Sequence, residues 1–190
     1  MSHKFESKSM HKLDSQERRK ILPPHETLKV VGLKQGDVMA DVGCGIGYFT
    51  IPAAQIVGPT GQVYAIDIVP EMLAVVEQKK TEMANENITT ILAVKDYLII
   101  PSGSVTFVFV CNVLHEIENI FSIASELKRI LSDNRQIAVI EWNKIQSNFG
   151  PPLSHRLARE EVEDLLCNIG FNNITTKNLG EHFYAVLGQK

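Results

Sequence analysis

Apolar residues recur along the chain in two spacings that alternate from residue 37 onward. Short runs in which most positions are apolar predict buried strands, and segments with apolar residues three and four positions apart predict helices. The predicted strands are 38–42, 62–67, 88–94, 105–111, 136–142, 173–177 and 182–187. The predicted helices in this part of the chain are 48–57, 70–84, 120–131 and 160–169.

This alternation of strands and helices predicts an α/β fold with a Rossmann-like, doubly wound sheet of seven strands. The run 105–111 is apolar on both faces, which is typical of a strand in the middle of a parallel sheet. Only a short turn at 179–181 separates the last two strands, which leaves no room for a crossover helix. We therefore expect a mostly parallel sheet with an antiparallel C-terminal strand pair.

The first 36 residues follow a different pattern, because they begin with a polar, charged stretch. Two short helices are predicted at 13–22 and 24–31, separated by a pair of prolines. We expect residues 1–36 to form a helical arm that packs on a domain made by residues 37–190. For residues 1–12 a frayed tail is an equal alternative.

The first predicted strand leads into a glycine-rich turn, and a predicted helix follows the turn. Its sequence is Asp41-Val42-Gly43-Cys44-Gly45-Ile46-Gly47. Glycine suits such a place because the backbone must turn sharply and a ligand must approach it closely. A dinucleotide fingerprint, G-x-G-x-x-G, requires a small residue at position 48, where this chain has Tyr48, which would crowd a pyrophosphate. The turn by itself indicates a nucleotide-type ligand.

Two further acids follow the next two strands. Asp67 ends the second strand, where a carboxylate can accept hydrogen bonds from both hydroxyls of a ribose. The alternative is a helix N-cap ahead of Pro70. Asp96 follows the third strand, five residues before Pro101, and its alternative is an ordinary loop acid. Three acids in register with three strand ends form a stronger signal than any one of them.

The glycine turn with Asp41, Asp67 and Asp96 resembles the class I S-adenosylmethionine-dependent methyltransferases. Within them, residues from about 37 to 187 are similar to the C-methyltransferases of ubiquinone and menaquinone biosynthesis and to many small-molecule methyltransferases. The resemblance implies S-adenosylmethionine as the cofactor, S-adenosylhomocysteine as the product and a small molecule as the methyl acceptor. The chain departs from the family at Thr106, where an acid is common, and we expect no consequence for cofactor binding.

The resemblance also implies which residues contact the cofactor. The glycine turn would line the methionine end, and Asp67 would bind the ribose. Ile68 and Met72 would flank the adenine, Asp96 and Tyr97 would lie at its edge, and the end of the fourth strand would close the site. The implied cofactor-binding residues are Asp41, Gly43, Cys44, Gly45, Gly47, Asp67, Ile68, Met72, Asp96, Tyr97, Cys111 and Asn112.

Residues after the fourth and fifth strands are candidates for the acceptor side. The methyl group of the cofactor is already activated, so a base is needed only when the acceptor is a carbon acid or a hydroxyl. His115 is the candidate catalytic base, and the alternative is a histidine that packs or caps. Glu141 and Trp142 end the fifth strand and are placed to border the acceptor, although a lone Trp is more often core. The connection 148–156 is either a lid or a plain surface loop.

Composition narrows the classes of partner. A formal net charge of −3 argues against broad, charge-driven binding of nucleic acid. No apolar run approaches the ~18 residues of a membrane helix, and the N-terminus has no apolar signal region, so we expect a cytoplasmic protein. Cys44, Cys111 and Cys167 have no metal-ligand spacing, so we expect reduced, mostly buried thiols and no metal site. A homo-oligomer is compatible with the sequence.

Two other classes of function stay open. The first is a nucleotide-dependent oxidoreductase on a Rossmann fold, against which Tyr48 and the antiparallel final strands argue. The second is a non-catalytic module that kept the methyltransferase fold and its cofactor. The Asn/Asp-Pro-Pro-Tyr/Phe motif of amide and exocyclic-amine methyltransferases is absent after the fourth strand, where the chain reads Cys111-Asn112-Val113-Leu114-His115.

Overall fold

Seven strands form one sheet in a computed structural model of the chain, which describes residues 13–94, 97–147 and 150–190. The strands are β1 (Val38–Val42), β2 (Gln62–Asp67), β3 (Ile88–Leu92), β4 (Val105–Cys111), β5 (Leu131–Trp142), β6 (Asn172–Leu179) and β7 (Phe183–Gln189). Their order across the sheet is β3-β2-β1-β4-β5-β7-β6. Strands β1 to β5 pair in parallel, and β7 lies antiparallel to both β5 and β6. The predicted fold class is confirmed.

The strand order reverses between β1 and β4, which lie side by side although two strands separate them in the chain. In open α/β sheets, a crevice forms at such a reversal, outside the carboxyl ends of the strands. The glycine turn follows β1 at this point, and the connection that carries His115 follows β4. The topology therefore brings the predicted cofactor and acceptor sides to the same edge of the sheet.

Six α-helices connect and cover the strands in the described part of the chain. They are α1 (Gln16–Ile21), α2 (Pro24–Val30), α3 (Thr50–Val57), α4 (Pro70–Glu82), α5 (Ile120–Ile130) and α6 (Arg159–Asn168). Capping side chains or prolines mark the N-termini of four of these helices. The side chain of Ser15 accepts a hydrogen bond from the Arg18 N–H and caps α1, and Asn119 caps α5 in the same way. Prolines occupy the first position of α2 and α4, where no N–H is needed.

The core consists of two hydrophobic clusters, one on each face of the sheet. Neighbouring residues of β4 face opposite ways, so Phe109 belongs to the first cluster and Val108 to the second. Helices α2, α3 and α4 contribute to the first cluster, and α5 and α6 contribute to the second. Burial on both sides explains why β4 is apolar throughout.

The helices of the N-terminal region pack on the first face. Leu22 and Leu28 are fully buried in the same cluster as Phe109. The buried hydroxyl of Tyr48 donates a hydrogen bond to the Leu22 carbonyl oxygen at 2.8 Å. Contacts therefore tie the arm to the sheet, while the division of the chain at residue 36 stays a prediction.

Several element boundaries differ from the predicted ones. The helix expected from residue 48 begins at Thr50, because turns occupy the residues before it. Strand β5 begins earlier than expected, at Leu131, which pairs with Val105 across a register shift. Strand β3 ends at Leu92, and Val94 beyond it forms only an isolated bridge. Long-range pairing decides such ends, and the local apolar pattern does not encode it.

Candidate functional site

The glycine turn wraps over the end of β2. The N–H groups of Gly43 and Cys44 both donate hydrogen bonds to the Ile66 carbonyl oxygen, at 2.8 and 3.0 Å. The N–H of Gly45 donates to the carboxylate Oδ2 of Asp67 at 2.8 Å. The turn and the acid predicted to bind the ribose are therefore one connected unit, 22 residues apart in the chain.

The glycines of the turn are needed for two reasons. Gly43 has φ +74° and Gly45 has φ +53°, a backbone conformation that L side chains rarely adopt, which agrees with the expected sharp turn. A Cβ added to Gly43 would lie 2.3 Å from Cγ2 of Val113, in the connection after β4. A Cβ on Gly45 would lie 3.4 Å from Cδ1 of Leu13. At Gly43 a close side chain of the protein itself therefore requires glycine, whereas at Gly45 only the positive φ does.

Asp67 uses both carboxylate oxygens for backbone contacts. Oδ2 accepts the Gly45 N–H, and Oδ1 accepts the Val69 N–H at 3.0 Å. Val69 itself occupies the N-cap position of α4 and has no side-chain cap, so the alternative of an Asp67 N-cap is wrong. Each oxygen of a carboxylate has two lone pairs, so each one retains an acceptor position for a ribose hydroxyl.

Asp41 ends up almost completely buried, with 3% of its surface exposed. The Thr50 hydroxyl donates to its Oδ2 at 2.6 Å. Burial raises the pKa of Asp41 to about 7, although the hydrogen bond from Thr50 acts in the opposite direction. The carboxyl group is therefore balanced between its two protonation states near neutral pH, and a cation bound beside it would favour the ionised form.

The residues predicted around the adenine differ in exposure. Met72 is buried, whereas Ile68 and Tyr97 expose 49% and 58% of their surface. The guanidinium carbon of Arg129 lies 5.4 Å from the centre of the Tyr97 ring. Asp96, the predicted partner of the adenine edge, lies outside the described residues. Large apolar side chains are thus exposed beside the end of β2 and after β3, where the adenine is predicted.

Cys111 and Asn112 lie at the end of β4, as predicted. Asn112 has φ +58° and donates its N–H to the Ile140 carbonyl oxygen at 2.8 Å. Its side-chain Oδ1 is buried and has no hydrogen-bond partner among the described residues. An unpartnered buried oxygen and a strained backbone are typical of a residue that meets a ligand.

The three cysteines do not form a reactive cluster. Cys44 and Cys111 are buried, and Cys167 is exposed on α6. Burial raises the pKa of the Cys44 and Cys111 thiols, so both stay protonated at neutral pH. Within the described ranges, no group of three or more His, Cys, Asp and Glu side chains has the arrangement of a metal site.

His115 contacts a carboxylate from the next strand. It lies in a short 3-10 turn, Leu114–Glu116, and its Nδ1 is 2.7 Å from Oε2 of Glu141, near the end of β5. Glu141 is fully buried, and the His115 side chain is 7% exposed. Burial lowers the pKa of His115, but the hydrogen bond and charge of Glu141, aided by Glu116, outweigh it and raise the pKa above its ordinary value.

The connection after β5 packs against Trp142. Arg156 is buried, and its guanidinium donates hydrogen bonds to three carbonyl oxygens of this connection at 2.9 to 3.1 Å. The same guanidinium lies 5.4 Å from the Trp142 ring, and a Cβ on Gly150 would meet that ring at 2.7 Å. The described part of the predicted lid is therefore held against the end of β5. Residues 148 and 149 lie outside the described part, and closure of a lid stays a prediction.

Arg18 is a site residue that the sequence did not single out. Its guanidinium carbon, carried by α1, lies 4.6 Å from the centre of the Tyr48 ring, and its charge acts on the buried Asp41 and Cys111. It forms no ion pair with a described carboxylate, whereas the adjacent Arg19 is bound to Asp14 at 2.6 Å. In the sequence both arginines have the pattern of a solvated helix face. Only the folded structure distinguishes them, because it pairs Arg19 with Asp14 and leaves Arg18 near Asp41 and Cys111.

A family model described as a methyltransferase domain matches residues 40–139. A demethylmenaquinone methyltransferase of Geobacillus sp. (strain WCH70) is 27% identical over 127 residues, which are 67% of this chain and 54% of the relative. One of Listeria monocytogenes serotype 4a is 29% identical over 119 residues, 63% of this chain and 50% of the relative. The chain therefore spans about half the length of these curated relatives.

Solved structures agree with the topology. A structure described as a SAM-dependent methyltransferase from Aquifex aeolicus superposes with a TM-score of 0.92 at 28% identity, covering 97% of this chain and 98% of that one. A phosphoethanolamine N-methyltransferase of Haemonchus contortus superposes with a TM-score of 0.74 at 16% identity, over 90% of this chain and 52% of that one. The second likeness concerns the fold alone.

Proposed function

The chain belongs to the methyltransferase domain family, and we propose that it transfers the methyl group of S-adenosylmethionine to a small-molecule acceptor. The observation that carries the proposal is the connected unit of glycine turn and Asp67 at the reversal of strand order. A carboxylate that keeps two acceptor positions there fits the two hydroxyls of a ribose. The names of the relatives support methyl transfer and do not identify the acceptor of this chain.

The nucleoside half of the cofactor fits the residues after β2 and β3. Asp67 would hold the ribose, Ile68 and Met72 would flank the adenine, and Tyr97 would lie at its edge. Binding there would remove large exposed apolar surfaces from water, at about 25 cal/mol per Å² of apolar area. The role of Asp96 at the adenine edge remains a prediction from the resemblance.

The methionine half carries an ammonium group and a carboxylate, and the site offers an opposite charge for each. Asp41 is placed to favour the ammonium, since a nearby cation relieves the cost of its buried negative charge. Arg18, which has no described carboxylate partner, would pair with the carboxylate. The buried Oδ1 of Asn112 provides one further acceptor. Residues Gly43, Cys44, Gly45 and Gly47 would form the backbone wall between these groups.

When bound, the cofactor supplies a methyl group that its sulfonium has already activated. The protein then has to orient an acceptor in line with the S–CH3 bond and exclude water. Trp142 and the residues that Arg156 holds after β5 would form a wall for this purpose, and His115 is the candidate base. An absence of nucleic-acid partners, a cytoplasmic location and the oligomeric state stay predictions. No helix in the described part of the chain combines the length and apolarity needed to cross a bilayer.

Ligand-dependent stabilisation tests the proposal directly. A ligand present at 100 times its dissociation constant stabilises the native state by about 2.7 kcal/mol. We expect S-adenosylmethionine and S-adenosylhomocysteine to raise the melting temperature and a nicotinamide dinucleotide to leave it unchanged. A shift with the dinucleotide alone would favour an oxidoreductase. The absence of any shift with both methionine-derived compounds would contradict the cofactor assignment.

A further inference from the structure

The contact between His115 and Glu141 leaves one imidazole nitrogen available. Nδ1 faces the Glu141 carboxylate at 2.7 Å, while Nε2 has no hydrogen bond with a described residue. The nearest carboxylate oxygen to Nε2 belongs to Glu116 and lies 3.9 Å away, too far for a hydrogen bond. The ring is therefore fixed at one side, and Nε2 at the other side keeps its capacity for a hydrogen bond.

The protonation of the ring follows from its partner. An ionised carboxylate only accepts hydrogen bonds, so the neutral imidazole must carry its proton on Nδ1 and its lone pair on Nε2. Ser-His-Asp catalytic triads use the same relation, in which a buried aspartate sets the tautomer and the orientation of the histidine that acts as the base. Here the fixed tautomer makes Nε2 the proton-accepting atom.

The charges around the ring favour the arrival of a proton. Glu141 is fully buried, and its Oε1 has no hydrogen-bond partner among the described residues. A negative charge in such a place is stabilised when the neighbouring imidazole becomes an imidazolium. Glu116 acts in the same direction, and Arg156 acts against it. The net effect of these groups favours the charged form of His115.

We propose that His115 and Glu141 form a proton-accepting pair, and that the acceptor's nucleophile is one that must lose a proton, an O–H or an activated C–H. This inference rests on the proposed methyl transfer. Nε2 takes the proton, the electron pair released on the acceptor forms the bond to the methyl carbon, and the S–CH3 bond breaks with its electrons staying on sulfur. The imidazolium then returns its proton to water. Glu141 does not touch the acceptor and acts as a positioning residue.

Nuclear magnetic resonance of the imidazole nitrogens tests the pair without any acceptor. The full chain, labelled with 15N and saturated with S-adenosylhomocysteine, is titrated with pH, and His115→Gln assigns the resonance. We expect the Nδ1–H tautomer, a pKa above the usual value of about 6.5, and a lower pKa in Glu141→Gln. An Nε2–H tautomer, or an unchanged pKa in Glu141→Gln, would overturn the proposal. Binding of S-adenosylhomocysteine in the same samples separates this outcome from a failure of the cofactor assignment.

Turnover measurements test the acceptor class. Methyl transfer from 13C-methyl-labelled S-adenosylmethionine is measured with phenols and 1,3-dicarbonyl compounds, and with thioethers and tertiary amines as the contrast, because the nucleophilic atoms of the second group carry no proton. We expect transfer to the first group, and the 13C shift of the product distinguishes O-methyl from C-methyl. His115→Gln should lower kcat by about 10² to 10⁴ and leave cofactor affinity unchanged.

The positioning role of Glu141 has its own signature. Glu141→Gln should lower kcat at least about tenfold and shift the acidic limb of the pH profile to lower pH, and Glu141→Asp should restore part of both. Glu118→Gln, an exposed acid of the same connection, is the matched control. Wild-type turnover in His115→Gln, or methylation confined to tertiary amines, would overturn the proposal. If no compound in the panel is methylated, the tautomer and the pKa of His115 from the nuclear magnetic resonance experiment decide whether the His115–Glu141 pair is correct.

Discussion

The two sides of the crevice hold their carboxylates in opposite ways. On the cofactor side, Asp67 accepts N–H groups from Gly45 and Val69, so the backbone satisfies both of its oxygens. On the acceptor side, Glu141 is fully buried, contacts His115 through one oxygen, and has no described partner for the other. The first arrangement fixes a carboxylate that we propose to bind a neutral sugar. The second stores a charge whose balance changes when a proton arrives.

This contrast shows where ligand binding and proton transfer are each encoded in the chain. A template built from backbone N–H groups depends on a turn of a few residues, so it can be recognised as a motif. A charge-balanced pair depends on two strand ends that meet only in the folded sheet. We therefore expect substitutions on the cofactor side to change ligand affinity, and those on the acceptor side to change turnover.

The largest effect is expected from Asp67→Ala. The variant loses two charge-assisted hydrogen bonds to the ribose at about 1.5–3 kcal/mol each, which corresponds to a roughly 100-fold or greater loss of S-adenosylmethionine affinity. Isothermal titration calorimetry measures the dissociation constant of S-adenosylmethionine for the variant and for the wild type. Asp133→Ala is the control, because that side chain is 86% exposed beyond the crevice. Unchanged affinity in Asp67→Ala would contradict the proposal that Asp67 binds the ribose of the cofactor.

Gly43→Ala tests the contact between the glycine turn on the cofactor side and Val113, in the connection after β4. The new Cβ would clash with Val113, and the alanine would have to adopt a positive φ. We therefore expect a loss of about 2–4 kcal/mol in the free energy of unfolding. Gly103→Ala is the matched control, since Gly103 has φ +63° and no atom lies within 4 Å of its added Cβ. Its expected cost is only about 1–2 kcal/mol. Equal losses in urea unfolding would show that the contact with Val113 does not matter.

A smaller effect separates the charges at the methionine end. Arg18→Gln should weaken S-adenosylmethionine binding about tenfold, as expected for one charge-assisted pair. The affinity for decarboxylated S-adenosylmethionine should not change, because the partner of Arg18 is absent from it. Arg19→Gln is the neighbouring control, since Arg19 is bound to Asp14. Equal weakening for both compounds would contradict a carboxylate contact.

The smallest effect is a pH dependence from Asp41. In the free protein this group keeps its proton below about pH 7, and binding of the ammonium group favours the ionised form. Affinity for S-adenosylmethionine should therefore fall by less than about tenfold as the pH drops from 7.5 to 5.5, as expected when binding lowers the pKa of Asp41 by less than about one unit. Asp41→Asn should flatten the curve. A curve that keeps its slope in this variant would assign the dependence to another group such as His115.

Local patterns in the sequence predicted the sheet and the family, together with the strand ends where we propose that the cofactor binds. The strand and helix order, the antiparallel final pair and the glycine turn depend on local periodicity and short spacings, and the structure and the family match confirm them. The positions of Asp41 and Asp67 at strand ends follow from the same periodicity, and their cofactor contacts stay predictions. A segment's own residues are enough to encode such features, because propensity and burial act over a few positions.

The pairings between distant segments are visible only in the folded chain. The sequence placed His115 after the fourth strand and Glu141 at the end of the fifth, but not in contact, because nothing local indicates that these two side chains face each other in the folded sheet. It did not distinguish Arg18 from Arg19, since their difference comes from how α1 packs on the glycine turn. The protonation balance of Asp41 likewise depends on complete burial, which the assembled core creates.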